Sequence, residues 1–423
     1  MNCQPYYQAY LDILREELKP AMGCTEPIAL AYAAAKATDV LGKKPDKVEI
    51  GASGSIIKNV KSVYVPNTGH LKGIPAAVAA GIVAGKSEKQ LEVLSEVSNS
   101  QIEEIKHFLD NTPISLEHIN NGLTFDIIIT LHAGEDEAKV RIANYHTNII
   151  HIEKNGEVLT DIPVEGESEQ NLTDRSLLNM CDILEFANTV KLEDIKPILQ
   201  DQVNLNMAIA KEGLQGNYGS SIGKTLLSIE DNVRTRARAY AAAGSDARMN
   251  GCELPVVINS GSGNQGITTS VPVIIYADEL KVGEEKMYRA LALSNLTTIH
   301  QKTSIGRLSA FCGAVSAAAG AGAGIAYLCN GNCEVINNTV VNTVAIVSGM
   351  VCDGAKASCA AKIAEAVDTA ILAYQMAVKG TVFSDGDGLV NHSVEGTISN
   401  VGRLAKQGMG QTNEEIIDIM IEK

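Results

Sequence analysis

The chain has 423 residues, 45% of them hydrophobic and 20% charged, which excludes a disordered protein and leaves room for two or three domains around a large core. Its net charge is −15 and it has no basic stripe, which argues against nucleic acid, since phosphate binding needs clustered Lys and Arg. Aromatics are scarce at 4% and Trp is absent, so the core must come from closely packed helices with small residues at their contacts.

Residues 3–19 read as an amphipathic helix ended by Pro20. The start, MNCQPYYQAYLDILREELKP, lacks the charged head and apolar run of a signal peptide. Together with nine cysteines, an odd number, this points to a reducing cytoplasm and unpaired thiols. The turn PAMGCTEP leads into a second helix, IALAYAAAKATDVLG, with Pro27 in its first turn and Gly42 closing it. KVEIGAS and KSVYVPN are predicted as short strands, and residues 73–85 and 87–110 as helices. From Leu123 onward, TFDIIITLHAG, EAKVRIANYHTNIIHIEKN and GEVLTDIPV alternate or run apolar between turns, which predicts an antiparallel sheet.

The polar stretch EGESEQNLTD, Glu165 to Asp174, reads as a linker. Residues 1–170 are then one α+β domain and residues 171–423 a second, mostly helical and Ala/Gly-rich domain. Glycine-rich loops at 213–224, 259–266 and 330–333 interrupt the helices. The most apolar stretch, Ser309 to Leu328, is rich in Ala and Gly rather than Leu or Phe, so it is expected as a buried helix and not as a membrane span. The fold class is therefore α+β.

Several motifs admit chemistry. QGNYGSSIGKTL has one spacer too few for a phosphate loop and no strand before it, so it reads as a glycine-rich approach to a buried helix. In VINSGSGNQGITTSVPV, small residues with free N–H groups followed by Asn264 and Gln265 can cradle a carboxylate, or form a plain flexible turn. Cys329 and Cys333 lack the second ligand pair that zinc needs and are expected to be structural, while Cys3, Cys181 and Cys252 stand alone. Cys312, Cys352 and Cys359 remain; three thiolates fit a four-iron cluster with one open iron, or three inert thiols. Cys24 lies just before a helix N-terminus, where the dipole lowers a thiol pKa, so it can act as base or nucleophile, or be a buried turn residue. Histidines lack ligand spacing. His300 and Lys302 are candidates to face the same cavity as Cys312, and His392 is a weaker one.

GCTEPIALAYAAA, INSGSGNQG, AFCGAVSAAAGAGAG and GMVCDGAKASCAAK together resemble the L-cysteine desulfidase family, which is related to the bacterial iron–sulfur L-serine dehydratases. The resemblance spans nearly the whole chain. It implies a lyase that converts L-cysteine and water into pyruvate, ammonia and hydrogen sulfide with a [4Fe–4S] cluster and no pyridoxal phosphate. By matching motifs, Cys312, Cys352 and Cys359 would hold the cluster. Cys24 would take the α-proton or be a fourth ligand when substrate is absent. Thr25 and Glu26 would adjoin the substrate, and its carboxylate would rest on the loop Ser260, Gly261, Ser262, Gly263, Asn264 and Gln265. The dehydratases carry a serine/threonine-rich stretch where this chain has Cys24-Thr25-Glu26-Pro27, which favours cysteine over serine. They also space their last two ligands further apart than Cys352 and Cys359. Implied partners are a small amino-acid substrate and a second copy of the chain, with no nucleic acid and no membrane. The rivals are the same chemistry on L-serine and a non-catalytic redox or metal sensor.

Overall fold

The computed structural model describes residues 6–164, 172–306 and 308–421; Cys3, the first residues of the opening helix and most of the expected linker lie outside them. In chain order the first part comprises α1 (Tyr7–Glu17), β1 (Pro20–Met22), α2 (Thr25–Leu41), β2 (Lys47–Ser53), α3 (Gly54–Val60), α4 (Gly73–Ala84) and α5 (Asn99–Asn111). The strands β3 (Ile114–Ile119), β4 (Asp126–Ala133), β5 (Asp136–Ala143), β6 (Ile149–Lys154) and β7 (Glu157–Asp161) follow. The rest is helical: α6 (Met180–Thr189), α7 (Leu192–Gln215), α8 (Ile222–Ile229) and α9 (Val233–Met249), then the short β8 (Pro255–Val257). The closing helices are α10 (Gly263–Glu279), α11 (Glu284–Ile305), α12 (Gly313–Leu328), α13 (Cys333–Val347), α14 (Ser358–Val378), α15 (Val394–Arg403) and α16 (Gly410–Ile421). This is an α+β protein.

A six-stranded sheet of order β3-β2-β4-β5-β6-β7 is backed on one face by α2, with α4 behind that helix. The sheet is mixed rather than antiparallel, because β3 pairs parallel with β2, Val48 against Ile114. Its sequence, ISLEHI, has no buried alternation to reveal it: as an edge strand it keeps most of its side chains in solvent. KSVYVPN is not a strand; Tyr64 makes only an isolated bridge to Lys72. The expected helix over 87–110 splits into a 3-10 turn, Ser87–Glu92, and α5, whose start is fixed by a capping box between Ser98 and Gln101. Gly42 closes α2 in the left-handed conformation, its N–H bonded to the Thr38 carbonyl.

In the helical part α12 is central, touching α10, α11, α13 and α14, and nearly all its residues are buried. Small side chains let the surrounding helices approach that closely. No helix among the described residues is long and apolar enough to cross a membrane. The two parts interlock at several places, among them the following. The Tyr10 hydroxyl of α1 donates to the Leu177 carbonyl, β1 pairs antiparallel with β8, and α16 packs against α3.

An ion-pair network joins α9 to α14, where Asp368 receives Arg234 at 2.7 and 2.8 Å and Arg238 at 2.8 Å. Burial alone would raise Asp368, but the two guanidinium groups outweigh it and hold the carboxyl below its usual range. A depressed carboxylate contributes stability above its unfolded pKa of ~4 and loses it as pH falls through the folded value. Asp368→Asn is therefore expected to cost about 1 kcal/mol at pH 7, allowing for partial exposure. Denaturation across a pH series checks this: the gap to the parent should close below about pH 4, and a gap constant down to pH 3 contradicts it.

Candidate active site

The β1–β8 pairing lays the GCTEP turn beside the INSGSG loop, since β1 runs into α2 and β8 into α10. Thr25 fastens the two, its hydroxyl donating to the Gly261 carbonyl at 2.8 Å. Deeper in, Asn259 is held by Asn295 of α11 at 2.9 Å, and Asn295 exchanges hydrogen bonds with Gln202 of α7. These amides are fully buried, so each bond left unmade would be costly and the loop has one stable position.

A cavity of about 100 Å³ opens where these loops meet α12 and α14. Cys24, Glu26, Ser262, Asn264 and Gln265 line it together with Cys312, Cys352 and Cys359. Among the remaining expected residues, Thr25 is buried, its hydroxyl oxygen 3.1 Å from Glu26 Oε2 while its one proton goes to the Gly261 carbonyl at the shorter distance of 2.8 Å. Gly263 opens α10 beside Arg248. Gly261 gives its carbonyl to Thr25, and Ser260 turns away: its hydroxyl donates to Asn259 Oδ1, and it lines a neighbouring cavity with Arg175 and Lys406.

The three thiols meet for a local reason. Phe311 and Val351 form an antiparallel bridge, flanked by the Cys312 N–H donating to the Met350 carbonyl at 3.1 Å and the Cys352 N–H to the Ala310 carbonyl at 2.6 Å. Side chains alternate across such a pair, so Cys312 and Cys352 share the face opposite Phe311 and Val351. Cys359 follows in the first turn of α14, after a tight loop in which Gly354 has φ +93°. A side chain there would also lie 2.3 Å from the Lys58 carbonyl, so only glycine fits. Lys58 itself, buried in α3, donates to the Cys352 carbonyl at 3.3 Å and to Asn413 of α16 at 2.6 Å.

Burial, then the neighbouring Cys352, pushes Cys312 up to about 12. Burial also raises Cys359, against the Lys356 amide that favours its thiolate. As free thiols these groups stay protonated, and a coordinating metal would displace their protons. Asp353, between them in sequence, is held at about 2: burial would raise it, but its bonds to Lys356 and Lys362 outweigh that.

Cys24, the N-cap of α2, lines the same cavity, with its thiol donating to Glu26 Oε2 at 3.0 Å. Cys24, Val63 and Met249 form a small apolar cluster against which Cys359 packs, so residues over 300 positions apart meet here. The expected lowering of the Cys24 pKa is overturned. Burial and the Glu26 carboxylate raise it well above the usual thiol value, beating the helix N-terminus and Arg248. Glu26 moves the other way: burial would raise it, but His146, the Cys24 thiol and Arg248 hold it below the usual range. Asn59 completes its shell, donating to Oε1 at 2.9 Å.

Residues 88–418 match the serine dehydratase alpha chain family. The chain belongs to that family. It is also similar along its whole length to UPF0597 proteins. That of Desulfitobacterium hafniense is 57% identical over 99% of this chain and 97% of its own. That of Treponema denticola is 45% identical over 98% of each. That of Bacteroides thetaiotaomicron is 41% identical over 98% of this chain and 97% of its own.

Other sequence candidates fall elsewhere in this family member. Lys302 reaches the cavity, but His300 pairs with Glu395 Oε2 at 2.7 Å. The GSSIGK loop wraps a carboxylate of its own chain, with the Ser220 and Ile222 N–H groups donating to Asp246. Cys181 and Cys333 are exposed and Cys329 half-buried, none of them at the cavity. Sequence reasoning missed Arg248, Asn59 and Lys362, all on the cavity wall. The one signal was an arginine ending the Ala-rich run AYAAAGSDARMN, where a charge has no business in a buried helix unless it has a task.

Gly354→Ala is expected to destabilise the chain by about 2–3 kcal/mol through backbone strain and the clash with Lys58. Thermal unfolding of this variant beside Gly386→Ala, which has a similar φ of +89° but open space, separates the two causes. Equal losses would mean that the Lys58 contact contributes nothing.

Proposed function

We propose that this chain is an L-cysteine desulfidase: a lyase that eliminates the β-substituent of L-cysteine, giving pyruvate, ammonia and hydrogen sulfide with consumption of one water. The observation that supports it best is that the Cys24–Glu26 pair and three neighbouring thiols line one cavity. Cys312, Cys352 and Cys359 would hold a [4Fe–4S] cluster. Sulfur-only donors select soft metals and iron–sulfur centres. Among the described residues no three His, Cys, Asp or Glu converge on one point as a single ion requires. A cluster makes no such demand, because each thiolate binds a different iron. When bound, the cluster supplies an open iron as Lewis acid for the departing sulfur.

The chain's own residues do the rest. The thiol of Cys24 donates to Glu26 along a 3.0 Å bond; in the free site the proton stays on sulfur, since Cys24 is raised and Glu26 lowered, and it passes to Glu26 only when positive charge brought in with the substrate favours the thiolate. Cys24 then takes the α-proton, the Cα–H electrons form the Cα=Cβ bond, and the Cβ–S electrons leave with sulfur. The aminoacrylate tautomerises and hydrolyses in water. Asn59 holds Glu26 in place, and burial of the Cys24–Glu26 pair keeps water from competing for the proton.

L-serine is the second reading, favoured by the match to the serine dehydratase alpha chain family. A non-catalytic sensor would need neither Glu26 nor the small cavity. Anaerobic reconstitution with iron and sulfide should give a brown protein that releases sulfide from L-cysteine. A colourless, inactive product sinks the proposal, and a higher kcat/KM for L-serine favours the second reading. Cys352→Ser should prevent cluster assembly, whereas Cys329→Ser should not. Cys24→Ala and Glu26→Gln should keep the cluster while lowering kcat by about 100-fold or more; full activity in either would remove that residue from the proton path.

A further inference from the structure

We infer that Arg248 anchors the carboxylate of the ligand while the side-chain oxygens of Asn59, Asn264 and Gln265 receive its ammonium group, so the cavity selects free α-amino acids. This rests on the reading of the cavity as an amino-acid site.

Arg248 ends α9, is 3% exposed, and has a buried Nε with no hydrogen-bond partner. A buried guanidinium donor left open is costly, which points to a partner that arrives with the ligand. Its position is set by Gly263, where a Cβ would lie 2.3 Å from Nε and 2.8 Å from Cζ. The guanidinium thus occupies the space of a missing side chain at the first residue of α10. The amides of Gly263, Asn264 and Gln265 precede the first intrahelical bond of that helix, from the Gly266 N–H to the Ser262 carbonyl, so Arg248 packs against a helix start with open backbone donors. Arg248 also acts electrostatically on Cys24 and Glu26, which puts a carboxylate bound there next to the proposed base.

The acceptors complement this. Asn59 Oδ1, Asn264 Oδ1 and Gln265 Oε1 are buried on the same cavity without partners. Asn59 and Gln265 are themselves 7% and 5% exposed. The orientation of Asn59 is fixed, because its amide nitrogen already donates to Glu26. Gln265 sits in room left by Gly313, where a Cβ would be 2.6 Å from its Cδ. An ammonium carries three donors and finds three open acceptors here. Carboxylate donors and ammonium acceptors thereby line one cavity.

The test is calorimetric titration of the anaerobically reconstituted protein, and of the chain without iron, with L-alanine, propionate and ethylamine. None of these has a leaving group. The parent should bind L-alanine at least about 10-fold more tightly than either half-molecule. Arg248→Lys should weaken L-alanine and propionate by about 10- to 100-fold while leaving ethylamine alone. Gln265→Leu should weaken L-alanine and ethylamine and spare propionate. The inference is overturned by Arg248→Lys binding L-alanine within twofold of the parent, by a parent that binds propionate as tightly as L-alanine, or by a parent that binds no L-alanine. Were Arg248→Lys to misfold, the parent's ranking and Gln265→Leu still decide. Arg248-dependent L-alanine binding in a protein that turns over neither L-cysteine nor L-serine would remove the proposed reaction and keep this inference. Turnover with an unchanged KM in Arg248→Lys would do the reverse.

Discussion

Two backbone hydrogen bonds, Cys312 N–H to Met350 O and Cys352 N–H to Ala310 O, hold the site together. They tie the segment before the central helix α12 to the one before α14, and strand alternation then turns both thiols to one face. Other features secure this strap. Lys58 and Asn413 bring α3 and α16 onto the Cys352 loop, and Gly354 lets that loop lie against α3. The α+β part is thus needed twice, to supply Cys24 and to brace the loop that carries Cys352.

The cavity runs against the charge of the whole chain. The protein carries −15, yet α2, α10 and α12 all begin at the cavity, and among the described residues Arg248, Lys302 and Lys362 line it beside one carboxylate, Glu26. Helix N-termini and cations together favour negative charge, whether on thiolates or on a ligand carboxylate. Low exposure strengthens these interactions and makes each unmatched group costly. That is why the open donor on Arg248 and the open amide oxygens are informative.

Much of the fold was legible in the sequence because the signals were local. Gly42 after a periodic run ends α2, and the alternation in TFDIIITLHA gives β4. The strand ISLEHI was hidden because its pattern depends on an edge position that local sequence does not encode, and KSVYVPN misled because β-branched residues also suit a buried turn. At the site, motif matching pointed to Cys24 and the three cavity thiols. It gave the wrong sign for the Cys24 pKa, because the helix N-terminus is visible in sequence while burial and the pairing with Glu26 are properties of the fold. Arg248 escaped for the same reason: its partner is an absent side chain at Gly263, fifteen residues on and in another helix.

The most direct test of this account is thiol alkylation read by mass spectrometry, before and after anaerobic reconstitution with iron and sulfide. The account predicts that Cys312, Cys352 and Cys359 become protected together while Cys181, Cys329 and Cys333 alkylate as before. Protection of Cys181, Cys329 or Cys333, or of none, would contradict it, whereas protection of Cys24 along with the three fits its alternative role as a fourth ligand.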